Sequence, residues 1–172
     1  VILESTSPVG TTELIAKTLR AAGIPCGIIG TIQYEFGERL ISATRTTPEA
    51  LDLQRIFSEA LQAGGKAMAM EVSSQGLAAE RLRRARFAAA VFTNLTVDHL
   101  DFHKTMEAYF DAKKRLFEAL AAESPGAPAA VNIDDPYGRR LAAEPFLAGH
   151  RLTFGGHPDA QVRAEDIHLS EK

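Results

Sequence analysis

The feature that most constrains this chain is a rhythm of short apolar runs, each ending in polar residues and followed by a helical pattern. The runs are Val1–Leu3, CGIIG (26–30), AMAMEV (67–72), AAAVFTNL (88–95), AAVNI (129–133) and RLTFG (151–155). They are too short for buried helices, and glycine or polar residues bound them, which marks buried strands. Strands alternating with helices predict an α/β fold with a mainly parallel, doubly wound sheet. Its crossovers are expected to be right-handed. IQYEFGERLIS (32–42) breaks the rhythm and predicts a hairpin around Gly37.

The helices carry their own start and stop signals. Thr11 or Thr12 is expected to cap a helix from about Glu13 to Ala22, with Leu14, Ile15, Thr18 and Leu19 on one face and Gly23 as its stop. Thr47-Pro48-Glu49 reads as cap, first-position proline and an acid at the positive end of the helix dipole. The helix after it carries Leu51, Leu53, Ile56, Phe57, Ala60 and Leu61, and stops at Gly64-Gly65. Gln75–Arg84 is expected to be helical, with RLRRAR (81–86) as a solvated face. Met106–Ala121 is a long helix with Tyr109, Phe110, Ala112, Leu116, Phe117 and Leu120 as its apolar positions. Asp135-Pro136 starts another short helix.

Composition narrows the function classes. A chain of 172 residues with 45% hydrophobic and 24% charged residues suits one soluble domain with a sizeable core. A net charge of −3 gives no basic field for a polynucleotide backbone, so no nucleic-acid partner is expected. The single cysteine, Cys26, excludes an internal disulfide framework and fits a reducing cytoplasm. No apolar run is long enough to span a membrane, and no leader precedes the first strand. The chain starts in a strand and stops at Ser170-Glu171-Lys172 without a closing signal, as an excised domain would.

In doubly wound sheets ligands bind at the carboxyl ends of strands. Five stretches follow strands here: Glu4–Thr12, Thr31 onward, Glu71–Gln75, Thr93–His103 and Asn132–Asp135. EVSSQG places Glu71 before two hydroxyls. TNLTVDHLDFH gathers Thr93, Asn94, Asp98, His99, Asp101 and His103. YFDAKKRLF puts Lys113 and Lys114 in the following helix. A carboxylate and an imidazole at neighbouring strand ends could share a divalent ion, although magnesium prefers oxygen ligands. The plainer reading of each residue alone is that Glu71 caps the next helix, His99 and His103 lie on the surface, and Lys113 is a helix-face charge.

Taken in order, AMEVSSQGL, FTNLTVDHLDFH, YFDAKKRLFEAL and VNIDDPYGRRL resemble the central domain of the Mur ligases, specifically the branch that adds the third residue of the peptidoglycan stem peptide. LRAAGIPCGIIGTI and ATRTTPEAL, ahead of them, extend the resemblance from about Thr11 to at least Arg140. It implies a P-loop NTPase-like domain spanning 1–172, with the N-terminal uridine-binding and C-terminal amino-acid-binding domains absent. It implies ATP and Mg2+ as cofactors and UDP-MurNAc-L-Ala-D-Glu as substrate. In such enzymes ATP phosphorylates the substrate carboxylate, and the incoming amine attacks the acyl phosphate to form an amide. Carried over by motif, Glu71 and His99 match magnesium ligands. Lys113 matches a lysine that is carbamylated in the family and so becomes an anion able to hold a second magnesium. Asn132 matches the residue that holds the adenine, with Asn94, Gly10, Thr11 and Thr12 also on the nucleotide side. Thr46, Thr47, Ser73 or Ser74, and Arg81 match contacts to the muramoyl peptide.

Two departures stand out. Gln75 occupies the place of a family histidine and cannot titrate. ESTSPVGTTE (4–13) stands where the family has Gly-Thr-Asn-Gly-Lys-Thr-Thr, with Pro8 in place of the lysine. A phosphate loop works through consecutive N–H groups and a lysine on the β- and γ-phosphates. Proline supplies neither. Residues 1–13 instead resemble a segment of the NAD-dependent nucleotide-sugar dehydrogenases, yet no GxGxxG follows a strand, so a dehydrogenase piece is the weakest reading. A chimera, an engineered sequence and a degenerate copy all fit this join. The fold is expected to tolerate the change and catalysis is not. A non-catalytic nucleotide-binding or scaffold domain therefore stands beside the ligase reading.

Overall fold

A computed structural model of the chain describes residues 2–4 and 9–166. Among the described residues nine strands form one sheet. They are β1 (Ile2–Glu4), β2 (Cys26–Ile29), β3 (Gln33–Phe36), β4 (Arg39–Ser42), β5 (Ala67–Glu71), β6 (Ala90–Phe92), β7 (Ala129–Asn132), β8 (Arg151–Gly155) and β9 (Val162–Arg163). Their order is β4-β3-β2-β5-β1-β6-β7-β8-β9. All neighbours from β2 to β9 run parallel. The β3–β4 hairpin is antiparallel and closes one edge, with Gly37 in its turn at φ +57°. The expected mainly parallel α/β sheet and its hairpin are both present. The short pairing of β9 with β8 has no counterpart in the sequence expectation.

Six α-helices cover the sheet: α1 (Val9–Ala21), α2 (Ala50–Gln62), α3 (Ser74–Ala78), α4 (Leu100–His103), α5 (Met106–Glu123) and α6 (Pro136–Ala142). α1 packs through Ala16 onto Cys26 and Ala69, with Ile15 and Leu19 half-buried beside them. The larger core contains Leu53 and Ile56 of α2, Leu77 of α3, and Tyr109, Phe110, Leu116, Phe117 and Leu120 of α5, packed with Ile29, Met70, Phe92 and Val131 of the sheet. Phe92 and Phe117 meet edge to face at 6.3 Å. This clustering is the main source of stability, since burying each large apolar side chain contributes about 1.5–3 kcal/mol.

Several local expectations are corrected. α1 begins at Val9, so Thr11 and Thr12 lie inside its first turn and cap nothing. Its buried side is Thr12 and Ala16; Leu14 and Thr18 point outward. On α2 the buried set is Leu53, Ile56 and Ala60, at helical spacing, while Leu51 and Leu61 are exposed. The residue at the α2 N-cap is Glu49, not Thr47. α3 stops at Ala78, and 79–84 forms turns in which Glu80 and Arg84 take positive φ. RLRRAR is therefore not a helix face: it lies in these turns, and Leu82, Ala85 and Phe87 are carried into the core from them. α5 and α6 follow the sequence closely. Thr105 caps α5 by accepting from Ala108 N, and Asp135 caps α6 by accepting from Tyr137 N and Gly138 N.

Candidate functional site

β1 lies near the middle of the sheet, with β5 on one side and β6 on the other. α1 leaves β1 toward β2, while α3 leaves β5 and crosses to β6, so the chain winds in opposite directions about this point. A crevice is expected at such a switch. Glu71 ends β5, Thr93 follows β6 and Asn132 ends β7. The expectation that Glu71 and His99 sit at neighbouring strand ends is corrected, since β1 separates β5 from β6.

Two groups of polar side chains line this end of the sheet. The first surrounds a cavity of about 180 Å³ lined by Thr12, Gly30, Thr31 and Glu71, among others. Thr12 Oγ1 is buried at the head of α1 without a hydrogen-bond partner. A buried hydroxyl without a partner costs free energy unless a ligand supplies one. Glu71 is 6% exposed, and its Oε2 accepts from Thr31 Oγ1 at 2.6 Å. Burial pushes the Glu71 carboxyl above its ordinary pKa, and the Thr31 bond opposes that rise. Glu71 caps nothing: Ser73 caps α3 by accepting from Gly76 N at 3.1 Å.

Behind Glu71 the chain is braced by Thr47, which is fully buried. Its Oγ1 donates to Glu71 O (3.2 Å) and accepts from Ser73 N (2.9 Å) and Ser73 Oγ (3.1 Å). Arg81 comes from the turn after α3, donating to Thr47 O and pairing with Glu49 at 3.0 Å. Thr46, Thr47, Ser73, Ser74 and Arg81 are thus one contiguous group. The sequence suggests a cap at Thr47; its hydroxyl instead ties the β5–α3 turn to the segment before α2.

The second group is built on α4 and α5. His99 precedes α4 in the left-handed region at φ 53°, exposed, with its N–H donating to Asp98 Oδ1. His103 was expected at the surface but is buried; its Nε2 lies 2.8 Å from Ser74 Oγ, and its ring stacks on Tyr109. Burial first, then the neighbouring His99 and Lys113 charges, hold the His103 pKa below its ordinary value. Lys113 is not a helix-face charge. It is 2% exposed, with Nζ 5.0 Å from the Tyr109 ring centre. The helical period puts it there: Lys113 stands four residues after Tyr109 and three before Leu116, on the buried side of α5, where its charge alone had suggested the surface. Among the described residues, no three His, Cys, Asp or Glu side chains converge on a metal position.

On the far side, Asn132 bridges two strand ends. Its Nδ2 donates to Thr93 O at 2.8 Å and its Oδ1 accepts from Asp134 N at 2.9 Å. Asp135 also accepts from Leu95 N, tying the loop after β6 to the start of α6. Asp134 accepts from Gly156 N and His157 N, which hold its carboxyl below the usual range. Asn94 lies half-buried in this loop. Gly10 and Thr11 sit in the first turn of α1. The stretch 5–8, including Pro8, lies outside the described residues.

A model of the Mur ligase middle domain matches residues 10–172. The chain belongs to the Mur ligase family. The match leaves out residues 1–9, most of the stretch that resembles the dehydrogenases. A Geobacter metallireducens protein named UDP-N-acetylmuramoyl-L-alanyl-D-glutamate--2,6-diaminopimelate ligase is 45% identical over 163 residues, covering 93% of this chain and 32% of that protein. A protein of the same name from Solibacter usitatus is 48% identical over 162 residues, covering 94% and 32%. A solved structure of a ligase of that name superposes with a TM-score of 0.75 at 28% identity, covering 89% of this chain and 31% of that one. The chain therefore spans about a third of the length of these relatives, and within this Mur ligase segment the fold is theirs.

Proposed function

We propose that the chain is the nucleotide-binding middle domain of an ATP-dependent ligase of peptidoglycan synthesis, acting in the cytoplasm. Its relatives' names point to diaminopimelate as the amino acid joined to UDP-MurNAc-L-Ala-D-Glu. The observation that carries this reading is one cavity between the head of α1 and the ends of β2 and β5, lined by Thr12, whose buried hydroxyl has no partner, and by the buried Glu71. Such an oxygen-rich pair suits Mg2+, which takes hydroxyl and carboxylate ligands together with water and phosphate oxygens. A magnesium held there would neutralise charge on the transferring phosphate. The first turn of α1, with Gly10, Thr11 and Thr12, directs N–H groups and the positive end of the helix dipole toward the phosphates. Asn132 and Asn94 lie where the adenine would rest. Thr46, Ser73 and Arg81 would face the muramoyl peptide, with Thr47 bonded to both Ser73 and Arg81, and Ser74 beside them bonded to His103. His99 and Lys113 would serve a second magnesium, Lys113 as its carbamate. Carbamylation replaces a buried cation with an anion, so the site then attracts the metal it would otherwise repel.

A second reading is a non-catalytic nucleotide-binding or scaffold domain. One observation favours it: residues 4–13 hold no lysine for the β- and γ-phosphates. Whole-enzyme turnover separates the two. Residues 10–172 are placed in the G. metallireducens ligase in place of its middle domain, behind a Gly-Thr-Asn-Gly-Lys-Thr loop. ADP release dependent on both UDP-MurNAc-L-Ala-D-Glu and diaminopimelate is the expected result. A folded hybrid that binds nucleotide but releases no ADP would support the scaffold reading instead.

A further inference from the structure

Thr31, in the turn between β2 and β3, is the penultimate residue of the stretch LRAAGIPCGIIGTI and has been given no role above. Its Oγ1 donates to Glu71 Oε2 at 2.6 Å and lies 3.1 Å from Thr46 Oγ1. A hydroxyl carries one proton. The Glu71 carboxylate, which only accepts, takes the proton of Thr31. In the contact between the two threonines, Thr46 must then be the donor. The three groups form a directed relay, Thr46 to Thr31 to Glu71, ending in a short charge-assisted bond. Thr46 spends its proton inward and offers lone pairs outward.

We propose that Thr31 is a positioning residue with two effects. It fixes the Glu71 carboxylate for a divalent cation, and it makes Thr46 an acceptor-only contact that selects an N–H or O–H donor on the peptide substrate. The first effect rests on the reading of Glu71 given above; the polarity of Thr46 does not. On the other side of the carboxylate, a Cβ on Gly30 would come 3.2 Å from Glu71 Oε1. Room on that side leaves Thr31 as the group that sets the carboxylate's orientation.

The test uses the 172-residue chain with Thr31→Val, which keeps the shape and removes the hydroxyl, and Thr31→Ser, which keeps the hydroxyl. Thr31 is exposed, so both variants should fold, which circular dichroism checks. The first readout is metal-free: three-bond couplings that report the side-chain rotamer of Thr46. A single rotamer is expected in the parent and in Thr31→Ser, and averaging in Thr31→Val. The second is titration with Mn2+ alone, followed by paramagnetic resonance. Thr31→Val is expected to weaken Mn2+ binding about tenfold or more, as loss of an outer-shell partner does, while Thr31→Ser restores it. Unchanged couplings and affinity in Thr31→Val would overturn the proposal, as would equal losses in both variants. A parent that takes up no Mn2+ would overturn the role at Glu71 and the metal reading with it; the couplings alone then decide the role at Thr46.

Discussion

Replacing Gly138 with alanine is expected to lower the stability of this domain by about 3 kcal/mol or more, at the upper end of what overpacking costs. Helix propensity predicts the opposite, since alanine is better than glycine in a helix interior by up to about 1 kcal/mol. Packing decides. A Cβ on Gly138 would overlap the carbonyl oxygen of Asn132 and press on its carbonyl carbon, and those atoms are backbone. They yield only if α6 backs away from the end of β7. That movement would also disturb Asn132, whose Nδ2 holds Thr93 O across the strand ends. Urea unfolding followed by circular dichroism measures the change. An unchanged or higher midpoint would mean that α6 rests on the sheet more loosely than described.

Thr47→Val is the second large effect, about 2–4 kcal/mol, because each buried polar group left without its partner costs about 1–3 kcal/mol. Valine keeps the volume but removes an oxygen that serves Glu71 O, Ser73 N and Ser73 Oγ together. Thr47→Ser is the control. It keeps the hydroxyl and loses one methyl from the tight contact with Gly76, costing about 1 kcal/mol. If serine and valine prove equally costly, the methyl packing holds this turn and the hydroxyl does not. The outcome bears on function, since the same turn carries Glu71, which lines the cavity, with Ser73 and Ser74 shortly after it.

The alternation of apolar runs and amphipathic helices was enough to read the parallel sheet, the hairpin at Gly37 and the long α5, because those elements are fixed by local pattern and burial. Asp135-Pro136 was legible as a helix start for the same reason: the carboxylate has two oxygens, so Oδ1 caps the helix while Oδ2 takes the tertiary bond from Leu95 N. Thr47-Pro48 carries the same signal and means something else: a tertiary bond to β5 outcompetes the local cap. Leu14, Leu51 and Leu61 show the limit of periodicity, which finds apolar residues near a helix face but not where the sheet ends. Glu71 and His99 stand out in the sequence through their motifs. Lys113 falls on the apolar stripe of α5 by its spacing from Tyr109 and Leu116, and its charge masked that signal. The burial of His103 against Ser74 and the link from Thr31 to Glu71 were not legible, because each depends on chain segments brought together only by the fold. The 15-residue separation of Thr31 from Thr46 and the 40-residue separation from Glu71 leave no local trace.

This is a Mur ligase middle domain, and on the reading proposed above its nucleotide site departs from a working one only at the first loop. Lys113 and the hydroxyls around Glu71 come from other segments of the chain than that loop, and on the proposed reading they act once phosphate is held. Calorimetric titration with Mg-ATP probes this directly, comparing the chain as it stands with one in which Gly-Thr-Asn-Gly-Lys-Thr replaces residues 4–9, putting the lysine at Pro8. The account predicts no saturable binding before the replacement and saturable binding after it. Equally tight binding by both would contradict it, by showing that the α1 N-terminus and the Asn132 region hold nucleotide without the lysine. Absence of binding by both would contradict it from the other side, by showing that the cavity beside Glu71 is not a nucleotide site.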